Sequence, residues 1–184
     1  MVRFRRERSF DRSYRCKKVG TDGNPFQDSK TYHYDYLKNK KMKNEPVIIE
    51  RTFNASVDKV WKAITDKDQM KQWYFDTIDD FKPEVGFQTQ FKVRNGNKDY
   101  LHIWKVTEVE TGKRISYEWK FGGYPGNSLV TFELVAFGKK TKLKLTHQGI
   151  ETFLPDRNPT LARENFVEGW TSLIGRFLKD FIEK

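Results

Sequence analysis

Residues 47–73 read VIIERTFNASVDKVWKAITDKDQMKQW, and the order of elements inside this stretch decides the fold. Val47, Ile48 and Ile49 open a run rich in β-branched residues, and Arg51, Thr52 and Phe53 continue it. That is the composition of a strand. Asn54-Ala55-Ser56 breaks the alternation. Ser56 has the side chain of a helix N-cap, and Asp58 follows in the first turn, facing the positive helix end. Val57, Val60, Trp61 and Ile64 recur at helical spacing. Asp66 with Gln69 three residues on repeats the capping pattern ahead of Met70 and Trp73. The stretch therefore predicts one strand, a tight stop and two short helices, which leave a sheet before it resumes.

Beyond Trp73 the pattern is β again. Phe87, Thr89, Phe91 and Val93 alternate with Gln88, Gln90, Lys92 and Arg94, and Asn95-Gly96 is a hairpin signal. A strand over 98–108 places His102, Trp104 and Val106 on one face. Thr111-Gly112 turns the chain, and Ile115, Tyr117 and Trp119 alternate with Ser116, Glu118 and Lys120. The glycine-rich segment 122–126 leads into a strand over 129–137, and Gly138-Lys139 turns into Leu143, Leu145 and His147. This is an antiparallel meander with one polar face. Asn158-Pro159 then predicts a helix start. Phe166, Trp170, Leu173, Ile174, Phe177, Leu178, Phe181 and Ile182 form a wide apolar stripe. A helix of about 26 residues starting at Asn158-Pro159 would run roughly 39 Å at 1.5 Å per residue. Its mixed polar face argues against a membrane-surface helix. Gly169 and Gly175 within it predict close approach of the sheet.

The fold class predicted is α+β: a curved antiparallel sheet wrapped around a long C-terminal helix, with two short helices after the first strand closing one end. In this helix-grip order the sequence resembles the family of homologues of the activator of the heat-shock chaperone ATPase. That family lies in the START-like, birch-pollen-allergen-like superfamily (SRPBCC). The resemblance rests on Ala55 before the first helix, the Val60-Trp61 pair and Trp73 in the second helix. It continues in the turn 84–87, the strands 115–119 and 141–147, and Gly169-Trp170, covering about residues 45–184. It implies the fold, a ligand held between sheet and long helix, and chaperone ATPase regulation as an alternative role. Nothing in residues 1–41 resembles the Asn- and Trp-rich chaperone-binding motif of the co-chaperone proper.

The chain has 184 residues and a net charge of +10, concentrated at one end. Residues 1–41 carry 12 Lys and Arg against 5 Asp and Glu. They read as a basic, disordered arm with interleaved aromatics, followed by one domain over 42–184. Such an arm is either a solvated tail or a nucleic-acid contact through phosphates and base stacking. A third reading takes Met42 as the natural start. No apolar run reaches the roughly 20 residues of a membrane span, and arginines occupy the place of a signal peptide. One cysteine, Cys16, excludes an internal disulfide framework. A cytoplasmic protein is expected.

For ligand binding, Phe87, Phe91, Trp104, Tyr117, Trp119 and Phe132 are predicted to face inward from the sheet. Phe166, Trp170 and Phe177 would face them from the helix. His102, His147, Tyr117 and Glu168 are the candidate polar anchors for an apolar small molecule. The competing reading is that these rings fill the space. No cofactor or metal is predicted: His33, His102 and His147 are far apart in sequence, and two histidines meeting across strands make a weak site. There is no nucleophile elbow, P-loop or dinucleotide fingerprint, so a non-enzymatic protein is expected. The alternative is a cyclase- or dehydratase-like use of His102 or His147 beside Tyr117 as acid or base.

Overall fold

The computed structural model describes residues 44–184. The basic arm, Cys16, His33 and Met42 lie outside the described residues. Strand β1 (Val47–Phe53) is followed by helices α1 (Val57–Thr65) and α2 (Lys67–Trp73). Strands β2 (Gln88–Asn95), β3 (Lys98–Glu110), β4 (Arg114–Phe121), β5 (Ser128–Phe137) and β6 (Lys140–Gln148) come next. They form one antiparallel sheet in the order β1-β6-β5-β4-β3-β2. The meander fixes neighbours from β2 to β6, and β1 closes the order by pairing Val47 with His147 and Phe53 with Thr141.

The two short helices form for the reasons their sequence gives. Ser56 Oγ accepts from Lys59 N at 3.3 Å, and Asp66 Oδ1 accepts from Gln69 N at 3.0 Å. Trp73 Nε1 donates to Ala63 O at 2.8 Å, tying α2 back to α1. Gly96, Gly112 and Gly138 take the left-handed conformation their hairpin turns require. A register shift between Val106 and Glu108 bulges β3 against β4, the device that bends a strand and tightens sheet twist.

The C-terminal helix differs from expectation at its start. Pro159–Leu161 is a separate tight turn, and Ala162 returns to extended backbone. The helix, α3, spans 163–182, roughly 30 Å at 1.5 Å per residue. Its middle, Leu173–Leu178, is π-helical. Trp170, Ile174, Leu178 and Ile182 are buried against the sheet. The expected close approach at the helix glycines is absent at Gly169, where an added Cβ would meet nothing within 4 Å. At Gly175 the Cβ would be 3.5 Å from Arg51 Nη1, an ordinary contact. Among the described residues, no helix is long and apolar enough to cross a membrane.

Candidate functional site

The concave face of β2, β3 and β4 carries an unbroken patch of rings. Register places Phe91 opposite His102 and Trp104 opposite Trp119. Phe91 meets Trp104 edge-on at 4.7 Å between centroids, and Trp104 stacks on Tyr117 at the same distance. Phe132 lies 6.2 Å from Tyr117 and 5.9 Å from Trp170, so helix and sheet rings join. Phe166 is half-buried and meets His147 at 5.0 Å. Two predicted lining residues sit apart. Phe87 is half-buried at one end, with its ring on Phe81 at 6.3 Å. Phe177 is half-buried with the Arg176 guanidinium at 5.5 Å, away from the ring patch. Glu168, a candidate anchor, is exposed on the outer side of α3.

The two histidines do not meet. Trp119 stands between them, 5.0 Å from His102 and 5.5 Å from His147. Both of His147's nitrogens are engaged. Trp170 Nε1 donates to Nδ1 at 3.0 Å. Because an indole N–H can only donate, the ring proton of His147 is on Nε2. Nε2 donates to Ser128 Oγ at 2.8 Å, and Ser128 Oγ donates to the Trp119 carbonyl at 3.0 Å. Burial pushes the pKa of His147 down to about 3, so the ring is neutral and its proton is committed. This chain of bonds fastens α3 to β6, β5 and β4.

His102 is different. Burial also lowers its pKa to about 3, but Nδ1 has no partner among the described residues. The same holds for Trp104 Nε1 and Trp119 Nε1. Tyr117 does not pair with a histidine; its hydroxyl lies 3.1 Å from that of Tyr74. One of these hydroxyls donates to the other, and the acceptor keeps a proton without a described partner. Burial raises the pKa of both phenols. The two indole N–H groups and one phenol proton are thus donors without a described acceptor, and His102 Nδ1 adds an unpaired atom whose role is set by the tautomer. Among the described residues, no three His, Cys, Asp or Glu side chains group as a metal site.

Residues that the sequence reading missed sit at the middle of this arrangement. Tyr74 and Phe75 follow Trp73 directly. Tyr74 stacks on Trp73 at 4.9 Å and on Phe75 at 4.4 Å. The available signal was three consecutive aromatics at a helix end, too many for one helical face. Phe81, Tyr100, Phe121 and Phe153 also enter the buried core.

A family described as "Activator of Hsp90 ATPase homolog 1-like protein" matches residues 54–183. The chain belongs to this family. No curated protein matches the sequence of this family member. Solved structures match its fold. Protein MLL2253 from Mesorhizobium loti is 24% identical, with a TM-score of 0.63 over 76% of this chain and 97% of that one. CalU16 from Micromonospora echinospora is 24% identical, with a TM-score of 0.54 over 74% and 75%. DynU16, from the dynemicin biosynthetic locus, is 23% identical, with a TM-score of 0.60 over 76% of this chain. The match spans only 48% of DynU16. At these identities the likeness carries the START-like, helix-grip fold and no more.

Proposed function

We propose that this domain is a non-enzymatic binder of a small, largely apolar molecule held between the concave sheet and α3. The observation that supports it is a group of buried atoms with no partner among the described residues: His102 Nδ1, Trp104 Nε1 and Trp119 Nε1. An unpaired buried polar atom costs about 1–3 kcal/mol, and native interiors pair the large majority of theirs. Three on touching rings suit an apolar ligand with a polar feature, the common pattern of small-molecule sites. Kinship with the chaperone-activator family and fold likeness to DynU16, a protein of a biosynthetic locus, accord with this reading.

Native mass spectrometry of protein isolated without denaturation tests it. The reading expects a bound species of defined mass, lost on organic extraction and regained by the extract. Protein from several growth conditions carrying no adduct, and taking none from extracts, would contradict it.

A second reading, regulation of a chaperone ATPase, has one surface feature in its favour. Val135 and Phe137 are 61% and 74% exposed near the end of β5, an apolar pair available to a protein partner. It predicts that the full chain stimulates the cognate Hsp90 ATPase and that Phe137→Ser abolishes the effect. No stimulation at saturating protein rejects it.

A further inference from the structure

Resting on the ligand-binding reading above, we propose that Phe75 is a displaceable plug whose ring holds the place of a flat, acceptor-bearing ligand over His102, Trp104 and Trp119. Phe75 lies 5.1 Å from His102, 6.1 Å from Trp104 and 6.0 Å from Trp119 between ring centroids. It therefore touches all three rings that, among the described residues, carry a buried nitrogen without a partner. Many described rings touch one of these three, and all except Phe75 are fully buried.

Phe75 is also lightly held by its backbone. Tyr74 ends α2, and Phe75 begins a loop whose next residues, Asp76 and Thr77, are exposed. Its carbonyl accepts from Ile78 N at 3.3 Å in a turn. Ring contacts, not a ladder of hydrogen bonds, keep it in place. Swinging it outward breaks neither helix nor strand. The space it leaves is a slot. Tyr74 stacks against one face at 25° between planes, and Trp119 meets it nearly perpendicular at 84°. A ring fits that slot better than a bulky aliphatic group.

The chemistry of the wall sets the ligand's polarity. Two indole N–H groups can only donate, and the Tyr74–Tyr117 pair holds one more proton without an acceptor. The occupant complementary to this wall presents an oxygen acceptor, such as a carbonyl, phenolic or carboxylate group. Phe75 itself supplies only carbon, which accounts for the nitrogens that stay unpaired while it is in place.

A plug makes the binding-competent state a fraction of the population, and apparent affinity falls by that fraction. The test titrates the full chain with 8-anilinonaphthalene-1-sulfonate, a flat ring system bearing an acceptor, against wild type, Phe75→Ala and Phe75→Trp. The expected result is a single site, about tenfold tighter in Phe75→Ala and weaker than wild type in Phe75→Trp. Adding Trp119→Phe to Phe75→Ala should reduce the affinity several-fold. If Phe75→Ala does not unfold cooperatively, Phe75→Trp and Phe75→Leu carry the comparison. One-site binding equal in all Phe75 variants overturns the plug and leaves the ligand-binding reading standing. No binding by any variant overturns both. More than one site per chain marks a loosened core and counts against the plug.

Discussion

His102 and His147 are equally inward, and burial pushes both pKa values to about 3, yet their chemistry is opposite. His147 links Trp170 to Ser128, whereas His102 leaves Nδ1 unpaired. Replacing each by Phe should separate them. His147→Phe strands the buried Trp170 Nε1, while Ser128 Oγ keeps its bond to the Trp119 carbonyl, and should cost about 1–3 kcal/mol, the usual cost of one buried orphan. His102→Phe removes an orphan and should stay within about 1 kcal/mol of wild type, or stabilise. Urea unfolding measures both. Alternation alone placed both rings on the inner face. Their roles were not readable, because partners depend on cross-strand register and on a helix rotation that no single strand encodes. Phe75 escaped for a related reason: it belongs to no periodic element.

At the scale of elements, caps were the most legible feature. Ser56 and Asp66 each accept the backbone bond their position predicts. Asp66→Ala should cost about 1 kcal/mol, the usual value of an N-cap, read as a lower thermal midpoint. The glycine-rich loop is a second test. Gly126 is left-handed at φ +94°, and an added Cβ would collide with the Thr152 carbonyl. Gly126→Ala should therefore destabilise by more than the roughly 1 kcal/mol of the conformation alone. The C-terminal helix was legible in its stripe and not in its ends. Asn158-Pro159 starts a turn that Ala162 interrupts, and the π-helical stretch Leu173–Leu178 shifts the phase of the stripe. A pattern built on 3.6 residues per turn carries no sign of either. Gly169 shows the same gap, since glycine signals close approach or free space equally and here there is space.

For the whole molecule, the buried histidines couple folding to pH. Both are neutral in the folded state, with pKa values pushed by burial to about 3 from the ordinary 6.5 of histidine. As pH falls below 6.5 the unfolded chain binds protons that the folded chain refuses, so stability is lost between pH 6.5 and 3. Each histidine contributes about 1.4 kcal/mol per pH unit, or about 2 kcal/mol between pH 7 and 5. Urea midpoints at those two pH values should show the loss, and His102→Phe should remove about half of it. The family and the order of elements followed from residues 47–73 and the meander, because amphipathic period and caps are local. Whether the ring-lined interior holds a ligand is not a local property. The indole N–H signals in a ¹H–¹⁵N spectrum address it most directly. On adding the native extract or a flat acceptor-bearing ligand, Trp104 and Trp119 should shift downfield. Trp73 and Trp170, whose protons are already bonded to Ala63 O and His147 Nδ1, should stay close to their positions. Shifts confined to other residues, with Trp104 and Trp119 unmoved at saturation, would contradict a ligand site at these rings.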